Sequence, residues 1–199
     1  MRLTLLPLVG AVLCSQAFAQ PHTPEGFRPL FNGKDLSGWF GWGTSDPATL
    51  RAMSPDERLE YKSKSIRGGL VDAKGNLTQE HIENHWRVEN GELVNDGKGL
   101  YLTTDSDYGD FELMLEYKAL PEGDSGVYLR GIPQVQIWDA GSADPNGLGK
   151  SLGSGGLWNN GKGSPGKDPA RKMDRALGEW NSFKIRMLGE RVTVIFNGE

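Results

Sequence analysis

A period of two governs the middle of this 199-residue chain. Over residues 111–118 the apolar Phe111, Leu113, Leu115 and Tyr117 alternate with Glu112, Met114, Glu116 and Lys118. Further on, Val127 and Leu129 alternate with Tyr128 and Arg130, and Val135 and Ile137 alternate with Gln134, Gln136 and Trp138. Successive side chains of a strand point to opposite faces, so this rhythm demands β-sheet with one face buried. Taken together, the three runs pave one apolar face and one polar face. The 28 glycines, 11 prolines and six tryptophans agree with a turn-rich β protein.

Turn chemistry organises the rest. Asn90-Gly91, between WRVE and ELVN, is a hairpin signal, because a tight two-residue turn there needs positive φ at both positions. GLYLTT continues the meander, and residues 180–196 read as two strands joined near Leu188-Gly189-Glu190. Upstream, the stretch 27–43 reads as a first strand, a turn at Asn32-Gly33, then a loop carrying Trp39 and Trp42. Ser54, Pro55 and Glu57 form a capping box ahead of a helix, and Thr78 is placed to cap a shorter helical turn reaching about Asn84. Residues 44–84 thus read as a partly helical insertion in a β framework. The Gly-, Ser-, Asn- and Pro-rich residues 140–168 read as loops over one end of a sheet. The length fits one domain over residues 20–199. The chain stops just after Asn197-Gly198, a hairpin turn with no returning strand, so further C-terminal strands are expected beyond Glu199.

The first 19 residues read as a secretory signal peptide. Arg2 supplies the positive end, Leu3 to Leu13 the apolar core, and Ala17-Phe18-Ala19 the small-x-small cleavage site. Leu13 precedes Cys14, where a lipoprotein signal wants a small residue, so a released secreted or periplasmic protein is expected. No later run is apolar enough for a membrane anchor. Cys14, the one cysteine, leaves with the leader, and with it any disulfide or cysteine-based metal site. Losing Arg2 leaves 21 basic residues against 26 acidic ones. Such a balance, without a basic run, gives nucleic acid no electrostatic footprint and suits a neutral small molecule or a carbohydrate.

Tyr128, Arg130, Gln134, Gln136 and Trp138 suit a sugar, whose hydroxyls they would hydrogen-bond and whose apolar ring face they would stack on. The alternative is a solvated outer face with ordinary cross-strand pairs. A two-carboxylate glycosidase holds its acids roughly 5 to 9.5 Å apart. Glu112 and Glu116 share a face, but four residues of strand separate their backbones by roughly 13 Å. A loop partner such as Asp124 would be needed to rescue that chemistry. His81 and His85 stand four apart, a zinc-binding spacing on a helix, yet no third ligand accompanies them and no metal site is assigned. His85, beside Trp86, remains a candidate pocket residue. Ser151, Ser154 and Ser164 lie outside any G-x-S-x-G elbow, and GSGG lacks the Lys-Ser/Thr of a phosphate loop. Trp158 and Asn159, in GGLWNN, either border a groove or anchor their own loop.

In this order and at this spacing, LFNGKDLSGW, WRVENGELV, GDFELMLEYK, DSGVYLRG, QVQIWD, GSGGLWNN and GEWNSFKI resemble the 3-keto-disaccharide hydrolase domain family over about residues 27–199. The resemblance implies an all-β, two-sheet antiparallel jelly roll of the concanavalin A-like lectin/glucanase type, its concave face forming a carbohydrate groove. It also implies cleavage of 3-keto-glycosides, in which the keto group acidifies the neighbouring C2 hydrogen and the glycosidic bond leaves by elimination before water adds back. On that reading Glu116 is the base and Arg130 with Tyr128 stabilises the enolate. Gln134, Gln136, Trp138, Asp124, Trp158, Asn159, Glu112 and His85 contact the substrate, and Asp139 orients. A divalent cation is the cofactor this chemistry admits as a substitute for Arg130. Many relatives carry Asn where Asp124 stands and Glu where Gln134 stands, so a base at the latter position would be missing here. A non-catalytic, lectin-like carbohydrate-binding module on the same fold is the competing function.

Overall fold

The structure, a computed structural model, describes residues 23–43 and 46–199. The expected leader peptide lies outside the described residues. Two units are distinguished, divided between Leu30 and Phe31. In the first, the described residues form a turn closed by the Phe27 N–H donating to the Pro24 carbonyl at 3.1 Å. The second, Phe31–Glu199, holds all the elements that follow: β1 (Trp39–Trp42), α1 (Pro47–Ala52), α2 (Pro55–Ile66), β2 (Leu70–Val71), β3 (Leu77–Gln79), β4 (Trp86–Glu89), β5 (Glu92–Asn95), β6 (Tyr101–Thr104), β7 (Phe111–Lys118), β8 (Asp124–Tyr128), β9 (Gln134–Trp138), β10 (Trp180–Leu188) and β11 (Arg191–Phe196). The chain is mostly β with few helices. No described helix is long and apolar enough to cross a membrane.

Local chemistry sets many of these boundaries. Ser54 Oγ accepts the Glu57 N–H at 3.3 Å while Glu57 Oε2 accepts the Ser54 N–H at 2.8 Å, so α2 starts on the reciprocal cap. Asn90 at φ 52° and Gly91 at φ 80° make the tight turn between β4 and β5. Two expectations are corrected. The first strand follows the Asn32-Gly33 turn rather than preceding it, because residues 32–37 are curled by their own side chains. Asn32 Oδ1 accepts the Lys34 and Asp35 amides at 2.8 and 3.0 Å, and Asp35 Oδ1 accepts the Ser37 amide at 2.9 Å. Side-chain hydrogen bonds donated to the Asp35 carboxylate, from Ser37 first and from Asn32 Nδ2 at 2.7 Å second, draw it down to about 2. Thr78, in turn, lies within β3, where its hydroxyl donates to the Leu70 carbonyl of β2 at 3.0 Å. The helical turn expected there shrinks to a single 3₁₀ turn at Ile82–Asn84.

The three central runs do not share a sheet. Strand β7 pairs with β10, which pairs with β11, while β8 and β9 form a separate hairpin. What joins them is the core. Leu129, Val135 and Ile137 from the hairpin region cluster with Phe183, Ile185, Met187 and Phe196 from β10 and β11, and Phe111, Leu113, Leu115 and Tyr117 of β7 pack against the same cluster. The apolar faces meet, so the polar residues of β7 and those of β8–β9 point to opposite sides. The joint polar pavement expected from the sequence is therefore divided in two. Alternation fixes which residues of a strand share a face and is silent about which strand lies beside it. The sheets are small, three strands in one and two in the others.

This arrangement predicts a sharp contrast between two β7–β10–β11 positions. Phe183, 2% exposed, should cost about 3–5 kcal/mol when changed to Ala, whereas Met114→Ala on the outer face, 42% exposed, should stay within about 0.5 kcal/mol. Urea unfolding of the two variants checks this, and equal losses would contradict the assignment of faces.

Candidate functional site

Strand β9 is the centre of the site. On one edge it pairs with β8 in the register Asp124↔Trp138, Gly126↔Gln136 and Tyr128↔Gln134. Its other edge is taken by residues 155–158, part of the stretch that the sequence reads as loops over one end of a sheet. The Gln136 N–H donates to the Gly156 carbonyl at 2.9 Å, the Gly155 N–H to the Gln136 carbonyl at 2.8 Å and the Trp158 N–H to the Gln134 carbonyl at 2.9 Å. Leu157 lies opposite Val135. Glycine is needed at position 155: its φ is 99°, and a Cβ there would already touch the Phe183 and Phe196 rings at 3.8 Å. Flanked on both edges, β9 is buried along its whole length, polar residues included.

The outer face of this ribbon gathers most of the expected binding residues. Gln134 Nε2 donates to the Ser125 carbonyl at 3.2 Å, lying across Gly126, where any Cβ would come within 2.2 Å of that amide. Gln136 Nε2 donates to Asp124 Oδ1 at 2.9 Å, and Asn159 Oδ1 accepts the Gln134 N–H at 2.8 Å. Trp138 and Trp158 meet edge to face with ring centroids 5.6 Å apart. Lys167 Nζ stands 4.1 Å from the Trp158 ring centre and donates to the Trp158 carbonyl at 2.6 Å, and Lys150 Nζ stands 5.7 Å from the Trp138 ring centre. Beside these rings a cleft of about 20 Å³ is lined by Gln136, Trp138, Trp158, Gly149, Gly153, Gly156, Lys167 and Asp168, with room for about one water.

Tyr128 completes the face. Its ring lies 5.4 Å from that of Tyr101 on β6. Burial, together with Tyr101 and Asp124, pushes its hydroxyl above the ordinary phenol value, so at neutral pH it is a hydrogen-bond donor. Asp124 is exposed, and the Gln136 amide fixes one of its oxygens.

Other expected site residues lie elsewhere. Glu112, on the outer side of β7, is flanked by Lys184 Nζ at 3.2 Å and Arg186 Nε at 3.5 Å from β10. Glu116 is exposed on the same side, opposite Ser182. Neither carboxylate faces the Trp138–Trp158 cleft, because the core lies between. Arg130 does not continue β8. It adopts φ 52° in the turn closed by the Leu129 N–H donating to the Pro133 carbonyl at 2.9 Å, and its guanidinium donates to the Gly189 carbonyl in the β10–β11 turn. His85 is held between Asp96 Oδ2 at 3.0 Å and Glu80 Oε2 at 3.5 Å, against Gly99. Sequence reasoning passed over Tyr101, Gly126, Lys167 and Asp168. Gly126 carried a signal, a glycine inside an alternating run. Lys167 and Asp168, in a Gly-rich loop, carried none. Among the described residues, no three His, Cys, Asp or Glu side chains are grouped to hold a metal ion.

Asp139 anchors the end of β9. Its carboxylate accepts the Glu122 N–H at 2.9 Å and the Gly141 N–H at 3.0 Å, which hold it below the usual carboxylate range, while its own N–H donates to the Gly123 carbonyl at 2.7 Å. A depressed folded-state value stabilises the fold above the unfolded value of about 4 and loses that contribution as pH falls through the folded one. Asp139→Asn should therefore lower Tm at pH 7 and flatten the fall of Tm between pH 5 and 3. Thermal unfolding across that range measures both, and an unchanged acid limb would contradict the anchoring role.

None of the curated proteins compared with the chain matches it. The family comparison does match, over residues 26–199, which is nearly all of the described chain, and the chain belongs to the 3-keto-alpha-glucoside-1,2-lyase-like domain family.

Proposed function

We propose that this chain cleaves the glycosidic bond of 3-keto-glycosides by elimination and rehydration, using the outer face of β8–β9. The family supports a carbohydrate-active role in general. The observation that carries the finer reading is an exposed carboxylate, Asp124, held by the Gln136 amide at the Trp138 end of the ribbon, on the same face as a half-buried ring, Trp158, that meets the buried Trp138 edge to face. Glu116, the base expected from the sequence, points to the other side of the core, and Asp124 takes its place in this reading.

The chemistry then needs few groups. The Asp124 carboxylate removes the C2 proton, and the electron pair is delocalised onto the C3 oxygen; Tyr128, four residues along β8 and roughly 13 Å away by backbone, contacts the substrate away from the reacting carbons. Reforming the ketone drives the pair into a C1–C2 double bond as the C1–O bond breaks. The proton held by Asp124 passes to the departing oxygen. Water next adds across the double bond, hydroxyl to C1 and proton to C2, which regenerates a 3-keto-sugar. Arg130, bonded to the Gly189 carbonyl, has no part in this scheme. Gln134 and Gln136 shape the floor, and Gln136 holds Asp124 in place. With no acidic or histidine triplet grouped among the described residues, this face offers no ready cation cage, and no step is routed through a cation.

A direct assay tests the reading. The full chain is incubated with 3-keto-trehalose and a 3-keto-glucoside beside the unoxidised sugars, with and without chelator. Asp124→Asn should lower turnover by about 10²–10⁴-fold, Tyr128→Phe should act on KM rather than kcat, and Glu116→Gln should stay close to wild type. Loss of activity in Glu116→Gln but not in Asp124→Asn would sink the assignment. Binding of plain sugars without turnover of any keto-sugar would favour a lectin-like module.

A further inference from the structure

Two exposed leucines border the Trp138–Trp158 cleft. They are Leu148 and Leu152 of the 139–153 loop, 37% and 46% exposed. An isolated exposed leucine is ordinary on a protein surface. These two share one loop and one cleft, and Pro169 adds a third apolar group to the same lining. Neither leucine belongs to the core cluster. The loop is tied so as to hold them out. Asp144 accepts the Leu148 and Gly149 N–H groups at 2.7 Å each and that of Lys150 at 3.2 Å. The Leu152 N–H donates to the Gly149 carbonyl at 3.0 Å in a single 3₁₀ turn, and Lys172 Nζ donates to the Ala140 carbonyl at 2.9 Å. These bonds fix the backbone that carries both leucines, so their exposure is part of the folded shape of the loop.

Side-chain donors at the cleft are already engaged. Gln136 Nε2 donates to Asp124, and Lys167 Nζ donates to the Trp158 carbonyl. What the mouth of the cleft offers a ligand is mainly apolar surface, from Leu148, Leu152, Pro169 and the half-buried Trp158 ring. The cleft itself has room for about one water, so a larger group lies across the mouth rather than inside it. A flat aromatic ring buries apolar area against such a surface and asks no donor of it. The chemistry favours the same group. This face offers one carboxylate, Asp124, which has both to take the C2 proton and to return it to the departing oxygen. A phenol, with a pKa of about 10 like that of tyrosine, departs with less help from a proton than a sugar hydroxyl does.

We infer that Leu148 and Leu152 form a subsite for an aromatic aglycone, so that the chain acts on 3-keto-glycosides of phenols in preference to those of small polar alcohols. The inference deepens the proposed function and rests on reading the β8–β9 face as a sugar site. In the elimination, the phenol oxygen keeps the electron pair of the broken C1–O bond and takes the proton held by Asp124, and the neutral phenol leaves from between the two leucines. Binding energy from the ring then acts on a part of the substrate that does not react, and its loss appears first in KM.

The test varies the aglycone. Phenyl and methyl glucosides, each as the α and the β anomer, are titrated against the full chain by calorimetry, and their 3-keto forms are assayed for turnover. The phenyl ligand should bind about tenfold more tightly than the methyl one in at least one anomer, a comparison free of the leaving-group advantage that phenol also has in turnover. Replacing both leucines, Leu148→Ser with Leu152→Ser, should bring the phenyl-to-methyl ratio of affinities down to about one, whereas Leu148→Met with Leu152→Met should keep most of it. Thermal unfolding shows whether each variant is folded, and a double serine variant that fails to fold is replaced by Leu152→Ser alone. Equal affinity for phenyl and methyl ligands in both anomers, or a phenyl preference that survives loss of the leucines, overturns the subsite. A phenyl preference that needs the leucines, without turnover of any keto-sugar, upholds the subsite and overturns the lyase chemistry. Turnover of keto-sugars with no phenyl preference in binding does the reverse, so the two failures are separable.

Discussion

The structure hangs on the face-to-face burial of two alternating patterns. Phe183 and Ile185 of β10 enter the same cluster as Val135 and Ile137 of β9, and each of the four is nearly or wholly removed from water. Gly155, at φ 99°, turns the chain beside the Phe183 and Phe196 rings, and the segment that contains it completes the far edge of β9. A core residue of this kind contributes about 1.5–3 kcal/mol by burial alone, so a handful of them dominates the energetics of a small sheet.

Clamping β9 between β8 and the 155–158 segment decides what its outer face can do. A strand with both edges occupied has its backbone satisfied and its side chains fixed by neighbours on either side, which is how a binding surface is held rigid before the ligand arrives. The amides of Gln134 and Gln136 are spent on Ser125 and Asp124. They therefore build the floor of the site and orient its carboxylate, and the ligand is left to the rings and to Asp124. Ser154 works behind this floor: it accepts the Trp138 N–H at 2.9 Å and donates to Asp174 at 2.6 Å, so the loop that lines the cleft is pinned to the strand it covers.

Much of this was legible in the sequence, for identifiable reasons. The facing of residues within β7, β8 and β9, the Asn90-Gly91 turn and the Ser54 cap follow from local rules that need no partner: period two, positive φ and a reciprocal hydrogen bond. Placement of β7 across the core from β9 was not legible, because an apolar face can be buried by a neighbour in the same sheet or by a facing one, and both leave the same pattern. That ambiguity alone put Glu116 on the wrong side. Arg130 was misread for a different reason, since its left-handed φ belongs to a turn residue and nothing in VYLRG marks where the strand stops. The 155–158 segment was hidden by its glycines, which signal loop in sequence but here give a left-handed turn at Gly155 and close approach to the Lys167 carbonyl at Gly156.

The two departures from the family pattern lie on one face of the hairpin, at opposite ends of its ladder. Relatives that carry Asn where Asp124 stands and Glu where Gln134 stands have their carboxylate on β9. Here it sits on β8, at the end of the ladder where Asp124 faces Trp138. The environment explains why the exchange is tolerated. Gln134 is only 9% exposed and donates to the Ser125 carbonyl, a bond a carboxylate could not make, whereas an exposed Asp124 can accept the Gln136 amide and stay solvated. An acidic residue at 134 would require its own donor, and one at 124 already has it. The face thus keeps one carboxylate, placed at the Trp138 end of the ladder rather than the Tyr128 end. On the proposed reading, a base on this ribbon needs no second carboxylate at hydrolase spacing, and elimination from a keto-sugar is the glycosidic cleavage that one such base would carry out.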